Sequence, residues 1–249
     1  MTIKMEIPIY LDYNASTPIY PDVVNVMRPL LETGYANPSS PHEAAVAARA
    51  AIDIARQRVA DLLGAAPDEI VFTSGGSEAN NYALRGAFSA QRDRGHHIIT
   101  SQVEHPAIIE TCRYLETQGA EVIYLAVDGM GRVDPDDVRN AITNQTTLIS
   151  IMHSNNEVGT LQPIPEIAQI AADHDVLMHT DAAQSPGKVS LNVVDSDVNL
   201  LSLAGHKFGA PKGIGVLYIR RGVILERLIH GAGHEAGRRA GTESAILIA

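Results

Sequence analysis

The sequence predicts an α/β fold, a three-layer sandwich in which helices cover both faces of a mostly parallel seven-stranded sheet. Short apolar runs alternate with longer segments of helical period, which is the pattern of a parallel sheet covered by helices. The chain has 249 residues, of which 45% are hydrophobic and 19% charged. That length and composition suit a globular protein with a large core, so we expect one large domain over residues 1–249.

Seven short apolar runs are the predicted strands, and several of them end in polar residues. Open α/β sheets bind ligands in the crevice outside the carboxyl ends of their strands, so these polar ends indicate where a site should lie. The predicted strands are residues 70–73, 97–101, 121–125, 147–152, 177–180, 199–203 and 214–219.

Three segments between these runs have helical period. Residues 44–63 form an amphipathic pattern that stops at Gly64, and residues 77–90 and 106–117 each begin soon after a strand. Pro106 suits the first turn of its helix. The predicted buried face of the first of these helices consists of Ala48, Ile52, Ala55, Val59 and Leu62.

Charge and cysteine content narrow the class of function. The 19 basic and 29 acidic residues give a net charge of −10, which disfavours nucleic acid and anionic membranes as partners. No run approaches the roughly 18 apolar residues of a spanning helix, and residues 1–10 lack the apolar core of a signal peptide, so we expect a cytoplasmic protein.

Cys112 is the only cysteine, which excludes an internal disulfide and a cysteine-rich zinc site. It shares a helical face with Ile108, Ile109 and Leu115, and we expect it to be buried.

Residues 73–80, with the sequence TSGGSEAN, join a strand to a helix through two glycines and three hydroxyl residues. Glycine lets the backbone approach a ligand closely, and the N–H groups and dipole of the helix start favour an anion. An ordinary capped turn is the alternative interpretation. The segment matches neither the dinucleotide G-x-G-x-x-G pattern nor the P-loop, so a nicotinamide dehydrogenase is disfavoured and the phosphate should belong to another ligand.

Asp181 and Lys207 are the two charged candidates at strand ends. Asp181 lies in the segment HTDAAQ after an apolar strand, where it would stay ionised only against a positive partner such as a protonated ring nitrogen, unless it merely caps the next helix. Lys207 follows another apolar strand, beside His206 and between glycines. A solvated surface charge is its alternative, but this setting can desolvate a lysine and lower its amine pKa.

A phosphate turn, an acid for a ring nitrogen and a nucleophilic lysine are the parts that a pyridoxal-phosphate site requires. Six motifs in this order resemble the cysteine desulfurases, which belong to the class V aminotransferase group of fold type I pyridoxal-phosphate enzymes. The resemblance covers essentially the whole chain and implies the large domain of that fold. The motifs are residues 11–18, 73–80, 104–105, 155–159, 179–184 and 205–207.

The resemblance implies a role for each motif residue around pyridoxal 5′-phosphate. Lys207 would hold the cofactor as a Schiff base and later move the Cα proton of the substrate. Asp181 would pair with the ring nitrogen and Gln184 with the ring hydroxyl oxygen. His105 would stack on the ring and act as acid or base, and Asn156 would lie near the ring and the substrate carboxylate.

The resemblance also implies how the phosphate is bound. Gly76, Ser77 and His206 would hold it, and Thr242 would reach it from the partner subunit, so we expect a homodimer. The family often has a serine where this chain has Ala204, so one phosphate hydrogen bond is expected to be missing. No metal is expected.

By the same resemblance, the expected reaction takes sulfur from L-cysteine, gives L-alanine and an enzyme persulfide, and passes the sulfur to an acceptor protein of iron–sulfur or thiolation pathways. The family's sulfur-accepting cysteine and substrate-binding arginine lie in a C-terminal small domain, which we expect this chain to lack. We expect residues 1–20 to belong to or pack on the small-domain side, and we expect impaired turnover. Selenocysteine lyase and a non-catalytic, pyridoxal-phosphate-binding or dimerising subunit remain alternatives.

Overall fold

Seven strands form one sheet in the computed structural model, which describes residues 9–249. Their order across the sheet is β1-β7-β6-β5-β4-β2-β3. All neighbours pair in parallel except β7, which is antiparallel to both β1 and β6. The strands are β1 (Ile70–Thr73), β2 (His97–Ser101), β3 (Glu121–Leu125), β4 (Thr146–Ser150), β5 (Leu177–Asp181), β6 (Leu200–Ala204) and β7 (Gly215–Ile219).

Eight α-helices accompany the sheet in residues 9–249. They are α1 (Pro21–Thr33), α2 (Val46–Leu63), α3 (Gly76–Ala90), α4 (Pro106–Thr117), α5 (Pro135–Ala141), α6 (Ile164–Asp173), α7 (Val193–Ser196) and α8 (Ala245–Ile248). Buried residues of α3 and α4 pack on one face of the sheet, and those of α2, α5, α6, α7 and α8 pack on the other. The predicted three-layer sandwich is therefore confirmed.

The direction of the strands determines where a site can form. Because β7 alone is reversed, the carboxyl ends of β1, β2, β4, β5 and β6 lie along one edge of the sheet. Helix α3 starts at this same edge, directly after β1. The predicted crevice at the strand ends is thus present.

The predicted strands agree with the observed ones to within two residues at each end, and helices α2, α3 and α4 agree closely with their predicted ranges. Cys112 is fully buried, as predicted. The prediction for Leu62 is wrong, since its side chain is 47% exposed while Ala60 and Leu63 are buried. The buried face of α2 is centred nearer Ile52 and Leu63, so Leu62 falls at its margin.

The structure describes the predicted N-terminal segment 1–20 only in part. The first eight residues of the predicted N-terminal segment 1–20 lie outside the described residues. Helix α1, which follows this segment, has no buried residue. None of the helices within residues 9–249 has the length and apolar character needed to span a bilayer.

Candidate active site

A cavity of about 430 Å³ opens at the carboxyl edge of the sheet. It is lined by residues from all six of the motifs that the sequence analysis singled out. The predicted site residues among them are Gly76, Ser77, His105, Asn156, Asp181, Gln184, His206 and Lys207. Eight of the nine predicted side chains or turns therefore meet at one place, and Thr242 is the exception.

The hydroxyl-rich turn of residues 73–77, called the anion turn below, forms the wall of the cavity where β1 leads into α3. Helix α3 begins at Gly76, so its first N–H groups lack intrahelical acceptors and face the same end as the cavity. A Cβ at Gly76 would come within 3.0 Å of the Cβ of Ala204, and a Cβ at Gly215 would approach the carbonyl carbon of Gly75 to 2.4 Å. Glycine is thus required for β6, β7 and the turn to lie this close together.

Asp181 ends β5 and is 6% exposed. Its carboxylate accepts hydrogen bonds from Asn80 Nδ2 at 2.7 Å and from the Ala183 N–H at 3.0 Å. Burial raises the pKa of Asp181 above its ordinary value, against the opposing effects of these bonds and of His105 and Lys207. Within residues 9–249 no lysine, arginine or histidine forms a salt bridge with it, so a cationic ligand would complete its environment.

Asn80 also lines the cavity, although the sequence analysis gave it no role of its own. It lies one turn into α3 on the face that packs on the sheet and is 1% exposed. Its Oδ1 atom is buried without a hydrogen-bond partner in the described part of the chain. An asparagine on an otherwise apolar helix face, just after an anion turn, was the available signal for this contact.

Lys207 lies in a short 3-10 turn (Gly205–Lys207) directly after β6. Burial, and then the neighbouring charge of Lys188, lowers the pKa of its amine, although Asp181 and Asp12 oppose the shift. The amine also lines the cavity. The predicted desolvated lysine with a lowered pKa therefore agrees with the structure.

The N-terminal segment crosses this lysine turn. The Asn14 carbonyl accepts hydrogen bonds from Lys207 Nζ at 2.6 Å and from Gln184 Nε2 at 2.9 Å. Thr17 binds the turn with both its main chain and its side chain, since its N–H and its hydroxyl donate to the His206 carbonyl and the hydroxyl accepts from the Gly209 N–H. These contacts join residues more than 160 positions apart, and the sequence analysis did not foresee them.

Two further polar residues of the cavity, Gln184 and Asn156, also make hydrogen bonds near Lys207. Gln184 accepts a hydrogen bond from Lys188 Nζ at 2.8 Å, so a second amine lies beside this cavity-lining amide. The main-chain carbonyl of Asn156 accepts from Asn14 Nδ2 at 3.2 Å. Both residues are thus connected to the same crossing segment.

His105 precedes α4 and caps it. Its Nδ1 atom accepts a hydrogen bond from the Ala107 N–H at 3.1 Å, so in the neutral ring the proton lies on Nε2. The preceding residue, Glu104, is buried and its Oε1 atom accepts from the Ser101 hydroxyl at 2.6 Å and the Met152 N–H at 2.9 Å. Burial raises the pKa of Glu104 to about 8, so this carboxyl fixes the loop that carries His105 while remaining largely neutral at pH 7.

Thr242 lies outside the main cavity. It lines a smaller neighbouring cavity of about 120 Å³, which shares Ser74 and Gly213 with the main one. Its predicted role, reaching the phosphate of a partner subunit, stays a prediction.

The arrangement fits pyridoxal 5′-phosphate. A helix start with close-packed glycines suits the phosphate, the buried Asp181 lacks a cation in residues 9–249, and Lys207 supplies an amine with a lowered pKa. Each of these groups lines the same cavity. The residues present can therefore hold this cofactor.

Comparison with known proteins agrees with this geometry. Residues 9–237 match the family model for aminotransferase class-V. Two curated relatives are named cysteine desulfurase IscS. The protein from Dictyoglomus turgidum is 49% identical over 240 residues, which are 96% of this chain and 61% of that protein. The protein from Methanosarcina thermophila is 50% identical over 236 residues, covering 95% of this chain and 58% of that protein.

Solved structures give the same result for the fold. The structure titled "SspA in complex with cysteine" superposes with a TM-score of 0.93 at 46% identity, covering 96% of this chain and 70% of that one. A NifS-like protein superposes with a TM-score of 0.94 at 38% identity, covering 97% and 67%. This chain spans about three fifths of the length of the curated relatives it matches. It belongs to the aminotransferase class-V family, in agreement with the resemblance to cysteine desulfurases that its motifs carry.

Proposed function

We propose that this chain forms the cofactor-binding part of a cysteine desulfurase that uses pyridoxal 5′-phosphate and L-cysteine. The observation that carries the proposal is the meeting of the anion turn, Asp181 and Lys207 in one cavity. The printed names of the two IscS relatives and the cysteine complex of SspA support the substrate. A persulfide product, a protein that accepts the sulfur and a role in iron–sulfur assembly belong to the same proposal.

The cofactor-binding roles follow from the positions of the side chains. Gly76, Ser77 and His206 would hold the phosphate, since they line the cavity beside the start of α3. Asp181 would keep a proton on the ring nitrogen, because a buried carboxylate without a cation is costly and a pyridinium would relieve that cost. When bound, pyridoxal phosphate supplies an electron sink for negative charge on the substrate α carbon.

The chain's own residues would bind and move protons on the other side of the cavity. Lys207 has an amine whose pKa is lowered by burial, which raises the fraction that is neutral and able to accept the Cα proton. His105 would exchange a proton only through Nε2, because Nδ1 is bound to the Ala107 N–H. Gln184 and Asn156 are placed to orient polar groups of the ring and of the substrate.

The proposal extends to the assembly. Helix α1 buries no residue, and large apolar side chains before and after it are exposed, with Leu11 at 85% and Tyr35 at 89%. We propose that this surface faces the part of the longer relatives' chains that this sequence does not cover. A homodimer in which Thr242 approaches the partner's phosphate is the accompanying proposal.

The lysine assignment is tested by trapping. The protein is incubated with pyridoxal 5′-phosphate and reduced with borohydride. We expect the intact mass to show one bound cofactor and a digest to locate it on the peptide that contains Lys207. Lys207→Ala should abolish the adduct, whereas Lys212→Ala, which removes another cavity-lining amine, should retain it. An adduct that persists in Lys207→Ala and maps elsewhere contradicts the proposal.

Turnover tests the reaction. Cys112 is the only cysteine and is buried, and burial raises the pKa of its thiol to about 12, so it is a poor sulfur acceptor. We expect this chain to bind the cofactor yet form little alanine from L-cysteine, and Cys112→Ala to change neither result. Rapid alanine formation without Cys112 would overturn this expectation, and faster turnover of L-selenocysteine would assign a lyase instead.

A further inference from the structure

The anion turn contains a negative charge of its own. Glu78 is the third residue of α3, and its carboxylate lines the cavity together with Ser74, Gly75, Gly76 and Ser77. An acidic residue in the first turn stabilises a helix, but it also repels any phosphate that binds the same turn. The site that we propose for a phosphate therefore needs a cation to offset Glu78.

Arg239 supplies that cation from a distant part of the chain. Its Nε atom lies 2.8 Å from Glu78 Oε1 and its Nη2 atom 3.1 Å from Oε2, which is a bidentate pair. The two side chains are 21% and 11% exposed. The pair is thus well shielded from solvent and weakly screened by salt.

Glu78 also holds the turn through its main chain. Its Oε2 atom accepts a hydrogen bond from the Ser74 N–H at 2.9 Å. Burial opposes ionisation of Glu78, but the bonds from Arg239 and Ser74 outweigh it and hold the pKa of the carboxyl below its ordinary value. The carboxylate is therefore ionised, and it fixes the path of the backbone between β1 and α3.

We propose that the Glu78–Arg239 pair is a positioning pair for phosphate binding: Glu78 shapes the turn, and Arg239 neutralises Glu78 so that the turn still attracts an anion. This inference rests on the proposed function, since it assumes that the turn receives the cofactor's phosphate. It assigns Arg239 to the site although Arg239 lines only the neighbouring small cavity. Removal of the arginine alone should then weaken phosphate binding more than removal of both charged side chains.

The test is a double-mutant cycle on binding of pyridoxine 5′-phosphate, which has no aldehyde and cannot attach to a lysine. Arg239→Gln leaves an unpaired carboxylate in the turn and should weaken binding about tenfold or more. Glu78→Gln should change it by less than about threefold, and the double variant should return to within about threefold of the wild type. Pyridoxine without phosphate should bind all four proteins alike.

A second arginine pair provides the matched control. Arg221 makes a similar bidentate contact with Asp68, at 3.0 and 2.7 Å, but lies outside the main cavity. Arg221→Gln should leave binding of pyridoxine 5′-phosphate unchanged. Circular dichroism and a thermal melt identify any variant that fails to fold, in which case Arg239→Lys, which keeps the charge, replaces Arg239→Gln and should weaken binding less than fivefold or so.

The outcomes separate this inference from the function on which it rests. Additive losses in the double variant, or equal losses for pyridoxine, mean that the pair is merely structural and overturn the proposal. A cycle with the expected rescue, but no borohydride-fixed cofactor on Lys207, keeps the pair and rejects the enzyme assignment. Failure of the wild type to bind pyridoxine 5′-phosphate at all rejects the pair's role.

Discussion

Asp181 and Lys207 face the same cavity, but the protein holds them in different ways. Asp181 ends a central strand, is 6% exposed and is bound by Asn80 from a buried helix face. Lys207 lies in a turn, and its amine donates a hydrogen bond to the main-chain carbonyl of Asn14 in an exposed N-terminal segment. The side that would hold the cofactor ring is thus part of the core, whereas the side that would meet the substrate depends on a peripheral segment. Substitutions on the first side should affect stability, and those on the second should affect local order.

The largest effect is expected for Glu104→Gln on the buried side. Because burial raises the pKa of Glu104 to about 8, the folded protein holds a proton that the unfolded chain has lost above about pH 4.5. The wild type therefore loses stability as the pH rises from about 4.5 to 8, while the glutamine variant does not. We expect the variant to gain about 3–4 kcal/mol over the wild type between pH 5 and pH 8, measured by urea unfolding.

The exposed Glu32 of α1 is the control for this prediction. Glu32→Gln should follow the wild-type pH dependence. Parallel curves for the wild type and Glu104→Gln would show that Glu104 is ionised in the folded protein.

A smaller effect is expected for Asn80→Ala. It removes one of the two donors to the buried Asp181 carboxylate, and an unsatisfied buried acceptor costs about 1–3 kcal/mol. Urea unfolding at pH 7.5 measures the loss. The neighbour Asn81 donates to the Ser77 carbonyl in an exposed position, so Asn81→Ala should cost less than about 0.5 kcal/mol. Equal losses of unfolding free energy in the two variants would mean that the bond from Asn80 to Asp181 contributes no more than an exposed one.

The smallest effect on global stability is expected for Thr17→Val on the peripheral side. The valine lacks the hydroxyl that bonds the His206 carbonyl and the Gly209 N–H. Global stability should fall by less than about 1 kcal/mol, but amide exchange of Gly209 should quicken by roughly tenfold. Thr33→Val, which removes an exposed bond to the Pro29 carbonyl, should leave Gly209 unchanged. Unaltered exchange in Thr17→Val would mean that the segment does not order the lysine turn.

The sequence could predict features that depend on local pattern. Buried parallel strands are continuous apolar runs, so the runs that end at Thr73, Thr180 and Leu203 were recognisable, and strands that run in the same direction bring such ends to one edge. The grouping of the anion turn, Asp181 and Lys207 follows from that edge. The apolar face of α4 likewise predicted the burial of Cys112.

Long-range pairs were beyond reach of the same reasoning. Glu78 and Arg239 lie 161 positions apart, and neither local period nor composition indicates which of the chain's many charges will meet. The carbonyl of Asn14 carries no sequence signal at all, because every residue has one. Leu62 shows a further limit, since the position of a helix face is known only to about one residue until its neighbours are placed.

The shared acceptor at Asn14 has a consequence for how the lysine turn tolerates change. The oxygen that binds Lys207 and Gln184 belongs to the main chain, so replacing the asparagine side chain leaves it in place. An insertion, a deletion or a proline between Asn14 and Thr17 would displace it, because Thr17 anchors the segment to the lysine turn. A substitution at this position therefore loses only the side-chain bond to the Asn156 carbonyl, whereas a change in the number of residues between Asn14 and Thr17 would move the acceptor of Lys207 itself.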